Sequence, residues 1–335
     1  MGVDLAVVWA VIIFFGVFMY VVMDGFDLGI GMLFPWVPDR HERDVMMNTV
    51  APVWDGNETW LVLGGAGLLA AFPLAYSIIL SGLYLPVIFM LLGLIFRGVA
   101  FEFRFKALDH ERHIWDKAFI GGSVTAAFFQ GVALGAFLQG IPVAGRAYAG
   151  GPLDWLAPFP LLSGVGVMIA YTLLGSTWLI MRTEGALQQQ MIRVARPFGL
   201  MLLGAIAVVS VWTPLTQPGV AARWFSFPNI VLFSPVPLLV AAAMVMLLRA
   251  LKGAPHRGPF VAALGLIFLG YSGMAISIWP NIVPPGLSIW SASSPPQSQG
   301  FALVGTLFIL PFILGYTVWS YYVFRGKVKL GEGYH

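Results

Sequence analysis

The sequence is organised as nine apolar runs, each long enough to cross a lipid bilayer, joined by short connections. The runs are 5–34, 52–72, 75–96, 118–141, 160–181, 197–213, 230–248, 259–280 and 301–324. About 20 largely apolar residues in helical form span the hydrocarbon core. Only structures that satisfy their backbone polar groups internally persist there. The pattern therefore predicts an all-α polytopic membrane protein, with residues 1–335 forming a single membrane domain. Composition agrees: 59% of residues are hydrophobic and 10% are charged, against roughly 25% charged in soluble domains. An ordinary soluble enzyme and a disordered chain are both excluded.

The basic residues fix an orientation. Nine spans place alternate connections on opposite sides. One side then holds Arg40, Arg43, Arg97, Arg104, Lys106, Arg112, Lys117, Arg182, Arg193, Arg196, Arg249, Lys252, Arg257, Arg325, Lys327 and Lys329, which is 16 of the 18 Lys and Arg. The other side holds only Arg146 and Arg223. Cytoplasmic connections carry the positive excess, so the N-terminus is expected outside and the C-terminus in the cytoplasm. Met1-Gly2-Val3-Asp4 lacks the basic region of a cleavable signal, and the first run is expected to remain as a helix. The longest outer connection, 281–300, carries no charge and reads as an interfacial loop. No connection is long enough for a soluble domain, and nothing suggests a nucleic-acid partner.

Ionisable groups inside a membrane are costly and mark function. The first run ends Asp24-Gly25-Phe26-Asp27-Leu28-Gly29. Its two aspartates share a helix face, and Gly25 with Gly29 lets another helix approach closely. The second run opens Pro52-Val53-Trp54-Asp55-Gly56-Asn57-Glu58, with Asp55 and Glu58 again three apart. The third ends at Arg97. The orientation brings all three motifs to the cytoplasmic side, where four carboxylates would face Arg97. Close carboxylates cannot all stay ionised cheaply. Three readings of the cluster are open: an ion-pair network locking helix ends, a relay that holds and passes protons, and a bound cation. Trp54 and Trp60 fit an interfacial belt. Gln130 and Gln139, beside Gly131 and Gly135, read as interhelical hydrogen-bonding groups, and Asp154 as a solvated loop residue.

The chain has no Cys, which excludes disulfides, thiolate-bound haem, iron–sulfur clusters and zinc–cysteine sites. Its five histidines, His41, His110, His113, His256 and His335, all fall in the basic connections or tail. The runs thus lack the usual axial ligands for an embedded haem. No phosphate-binding loop, HExxH or dinucleotide fingerprint is present. The fourteen Met residues read as packing. Self-contained redox or hydrolytic chemistry is not expected of this chain alone.

In combination, Asp24-Gly25-Phe26-Asp27-Leu28-Gly29, Ala51-Pro52-Val53-Trp54-Asp55-Gly56-Asn57 and Phe96-Arg97-Gly98-Val99-Ala100-Phe101-Glu102 resemble subunit II of cytochrome bd-type quinol oxidases. The likeness runs from the first helix to the last, including Trp279-Pro280. The length and the short connection between spans six and seven look more like the cyanide-insensitive branch. The resemblance implies nine helices: a four-helix bundle over about 1–145, a second over about 155–282, and a peripheral ninth helix near 300–325. It implies a multi-pass protein of the bacterial cytoplasmic membrane. It also implies a haem-bearing partner, subunit I, with two b haems and one d haem, in a complex that oxidises quinol and reduces oxygen to water. Some relatives add a small single-helix accessory subunit, and some hold a structural quinone. The family's proton path maps onto Asp55, Asp24, Asp27 and Arg97, with Trp54, Gly25 and Gly29 packing beside it. Glu58 stands where relatives carry Gln, and two readings of it are open: it extends the acidic cluster, or it takes no part. The competing classes are a proton-coupled secondary transporter, expected to show broken midplane helices in repeated halves, and a pure assembly scaffold.

Overall fold

The computed structural model describes residues 3–253 and 257–329. His256, His335, Met1 and Gly2 lie outside the described residues. The chain forms α1 (Leu5–Leu33), α2 (Arg40–Asn48), α3 (Trp54–Ala71), α4 (Pro73–Arg104), α5 (Arg112–Gln139) and α6 (Pro158–Arg182). It continues as α7 (Gly185–Thr216), α8 (Pro218–Phe225), α9 (Asn229–Phe233), α10 (Pro235–Ala250), α11 (Gly258–Ile278) and α12 (Pro296–Val323). Two short antiparallel ribbons complete it: Val143–Ala144 with Ala147–Tyr148, and Asn281–Val283 with Leu287–Ser288.

Eight helical stretches are long and apolar enough to cross a membrane. They correspond to eight of the nine expected runs. The remaining run, 52–72, is α3, a helix of 18 residues. Its first turns hold Asp55, Asn57 and Glu58, and these polar groups dilute its hydropathy. The seventh run is one stretch, Asn229–Ala250, broken into α9 and α10 at Ser234, where Pro235 starts the second helix. Several helices outrun their apolar segments. α4 extends to Arg104, past the expected end at Phe96, because a helix need not stop where the hydrocarbon stops.

Local chemistry sets the ends. Asp4 caps α1, accepting from the backbone N–H of Ala6 at 3.1 Å and Val7 at 3.2 Å. Its other oxygen accepts from Trp290 Nε1 at 2.8 Å, which ties the uncharged outer connection to the N-terminus. These hydrogen bonds, Trp290's first, hold the Asp4 carboxyl below the ordinary carboxylate range. Pro158 and Pro160 open α6, where a missing N–H costs nothing. Within α4, non-helical angles at Leu83 accompany Pro86 and kink the helix.

Glycines govern how closely α1, α4, α5 and α6 pack. A Cβ on Gly29 of α1 would lie 1.9 Å from the Tyr171 carbonyl oxygen of α6. One on Gly93 of α4 would lie 2.6 Å from the Ala126 nitrogen of α5. Backbones touch where side chains are missing, which is how helices associate without a hydrophobic driving force between them. Gly29→Val is therefore expected to push α1 and α6 apart at a cost of roughly 3 kcal/mol or more, lowering the unfolding midpoint of the purified protein. Gly65→Ala, where an added Cβ meets nothing within 4 Å, should leave that midpoint unchanged. α12 lies at the periphery against α1 and α3, with Gln299 its one buried residue.

Candidate functional site

The inner half of α1 carries Asp24 and Asp27, both 0% exposed. Gly25 seats this face on Tyr171, whose ring would lie 2.7 Å from an added Cβ. Across from them α4 presents Arg97, also 0% exposed. Its Nη2 lies 2.8 Å from Asp24 Oδ1, and its Nη1 lies 4.0 Å from Asp27 Oδ2. The same guanidinium pairs with Glu58 of α3, whose side chain is 27% exposed. Trp54 and Phe101 stack on each other, with ring centroids 5.0 Å apart, and each ring lies 5.8 Å from the Arg97 guanidinium carbon. Trp54 thus packs against the charged site rather than serving only as an interfacial ring.

Two neutral residues complete the cluster. Asn57 Nδ2 donates to Asp27 Oδ2 at 2.8 Å and to the Met23 carbonyl at 3.2 Å. Tyr321 of α12 donates its hydroxyl to Asn57 Oδ1 at 2.9 Å. Sequence reasoning passed over both. Asn57 was legible as a polar residue within the second run, but Tyr321 gave no local signal.

Asp55 is placed differently from the expectation that four carboxylates face Arg97. It is exposed, and among the described residues it forms no ion pair. The buried residues of α3 are Asn57, Trp60, Gly64, Gly67 and Ala71, a spacing that defines one inner stripe. At about 100° per residue, Asp55 falls nearly opposite that stripe. Glu58 lies off the stripe as well, about 60° around the helix from Asp55, and its longer side chain still reaches Arg97. Three carboxylates, not four, surround the arginine.

A second charged group, also missed, joins α2, α4 and α5. Arg104, 1% exposed, bonds Asp116 through Nε at 2.5 Å and Asp44 through Nη1 at 2.5 Å. Arg43 lies 2.8 Å from the other oxygen of Asp116, and Arg112 pairs with Asp44 and Asp109. Here three arginines meet three aspartates. The group is balanced and has the composition of a structural lock. The Arg97 cluster is not balanced: three carboxylates meet one guanidinium. Net charge shut away from water carries a heavy desolvation cost, and uptake of a proton relieves it.

The three described histidines, His41, His110 and His113, are exposed; His41 is in the short α2, His110 in the connection before α5, and His113 in the first turn of α5. Among the described residues no group of His, Asp or Glu is arranged to hold a metal ion.

Fold and site together define a multi-pass helical membrane protein that buries an excess of acidic charge around one arginine. The chain belongs to the cytochrome bd terminal oxidase subunit II family, whose model matches residues 5–324. It is 32% identical to the cytochrome bd ubiquinol oxidase subunit 2 of Bacillus subtilis (strain 168), over 98% of this chain and 97% of that one. It is 29% identical to the cytochrome bd-I ubiquinol oxidase subunit 2 of Escherichia coli (strain K12), over 92% of this chain and 91% of that one. A chain of the solved bd oxidase from Geobacillus thermodenitrificans shares the fold, with a TM-score of 0.75 at 16% identity, covering 95% of this chain and 98% of that one. The resemblance drawn from the three motifs is upheld. The protein is a subunit of a quinol oxidase complex in the bacterial inner membrane, and its family implies haems in a partner subunit.

Proposed function

We propose that this chain is the haem-free second subunit of the oxidase, with two roles: it scaffolds haem-bearing subunit I, and it lines a cytoplasmic entry for the protons that oxygen reduction consumes. The observation that carries the second role is the unbalanced charge at Arg97, with Asp24, Asp27 and Glu58 gathered on one guanidinium from three helices. A structural lock needs no surplus acid; a site that stores and releases protons does. In this reading α3 crosses the membrane as the ninth span, with the N-terminus outside. The chain packs as two four-helix bundles, about 1–145 and 155–282, with α12 peripheral. The 16-to-2 partition of Lys and Arg supports that topology.

Within this reading each residue has a task. Asp55, exposed at the start of α3, collects protons from water or from the subunit interface. Glu58, partly exposed and three residues on, hands them inward. Asp27 and Asp24 hold them, Arg97 keeps the surplus charge tolerable, and Asn57 fixes the Asp27 carboxylate. The b and d haems of subunit I supply the electron transfer and oxygen chemistry. Quinol is the complex's reductant. A structural quinone and a small accessory subunit belong to the same family pattern.

Asp55→Asn tests the outer end of the path. The variant is expected to assemble with a normal haem spectrum, since its side chain supports no buried contact. Its oxygen consumption with quinol should fall about 10-fold, within the usual range for loss of a proton-transfer group. Full turnover would remove Asp55 from the path, and loss of haem would assign it to assembly instead.

A further inference from the structure

A cavity of about 610 Å³ opens between the ends of α6, α11 and α12. Its wall holds four cations, Arg182, Arg257, Arg325 and Lys327, together with Trp178 and Tyr321. The acid paired with any of them among the described residues is Glu184, 3.7 Å from Lys327. Arg182 is 8% exposed; its Nη2 donates to the Phe324 carbonyl at 2.5 Å, and its buried Nε has no partner. Its guanidinium is held over the Trp178 ring at 5.4 Å. Lys327 is anchored by donating to the Thr183 carbonyl at 3.1 Å, and Arg325 lies over the Tyr322 ring at 3.7 Å. The N-terminus of α11, at Gly258, also borders the cavity, and helix N-termini favour anions.

Four cations facing one space repel one another, and an unpartnered guanidinium N–H deep in the wall is costly. An anion with several acceptor oxygens relieves both. Arginine forks match phosphate oxygens in pairs. All four cations belong to the basic side of the chain. Beside the cavity, the end of α12 and the residue after it expose Trp319, Tyr322 and Phe324, an apolar surface suited to acyl chains. Basic pockets between helix ends on this side of a membrane suit anionic headgroups. We propose that the cavity binds a phosphate group, presented by an anionic phospholipid of the cytoplasmic leaflet or by free inorganic phosphate. The proposal does not depend on the proton path.

The test uses the intact complex, delipidated and returned to nanodiscs of phosphatidylcholine with or without phosphatidylglycerol. The comparison variant is Arg257→Gln/Arg325→Gln, whose side chains are exposed and whose loss should leave the fold intact. Phosphatidylglycerol is expected to raise the unfolding midpoint of the wild type and to be retained in native mass spectra. The double variant should need about 10-fold more of it for the same effect. If inorganic phosphate added to phosphatidylcholine discs gives the same rise, the source is the free ion. No rise with either, or an equal rise in the variant, would overturn the proposal. Arg182→Lys adds a second reading: it keeps the charge but removes the fork, and should weaken retention if the buried guanidinium holds the phosphate.

Discussion

Replacing Arg97 with Met is expected to remove most of the assembled complex from the membrane. The substitution keeps an unbranched apolar stem but leaves Asp24, Asp27 and Glu58 without their common cation. Breaking a buried ion pair on one side costs about 3–5 kcal/mol, because the remaining charge stays buried and unpaired. That is comparable to much of a domain's net stability. Haem absorbance per unit of membrane protein should fall steeply, and any surviving complex should unfold at a lower temperature. Arg97→Lys should recover part of the loss: it restores one positive charge but cannot engage three carboxylates from a planar fork. Adding Asp24→Asn to Arg97→Met should also recover part of it, by removing one of the stranded charges. If Arg97→Met assembles fully, the cluster is not held together by this cation.

Asp27→Asn is expected to give the largest loss of turnover among the single acidic variants. Asp27 accepts a hydrogen bond from Asn57 and sits 4.0 Å from Arg97, so an isosteric amide keeps the shape and much of the hydrogen bonding. Removing a carboxylate from a surplus of acid does not strand a charge. Assembly and haem content should therefore stay near normal, while quinol-driven oxygen consumption falls about 100-fold if this carboxylate carries the proton. The two variants separate the roles cleanly: Arg97→Met acts on assembly, and Asp27→Asn acts on rate.

The bilayer made much of this legible. Apolar runs of span length and the segregation of Lys and Arg are strong signals because the hydrocarbon core tolerates so few alternatives. Asp24, Asp27, Glu58 and Arg97 stood out for the same reason: charge inside an apolar run is rare. The phase of α3 was harder to read. A three-residue spacing puts Asp55 near Glu58 along the helix, but both lie off the inner stripe through Asn57, Trp60, Gly64 and Gly67, and of the two it is the longer Glu58 side chain that reaches Arg97. Tyr321 lies 264 positions from Asn57, and no local pattern announces such a contact. Arg104 counts among the cytoplasmic-side charges because the apolar run ends at Phe96, and Asp116, just ahead of the run that starts at 118, carries no signal of its own. In the fold α4 continues to Arg104 and buries it.

The most direct test is proton uptake itself. The reduced complex in vesicles, carrying a pH-sensitive dye on the cytoplasmic face, would be mixed with oxygen and followed in time. In the Asp27→Asn variant, with its haems intact, uptake from that face should slow in step with oxygen consumption. Uptake at the wild-type rate in that variant would contradict a proton path through the Arg97 cluster.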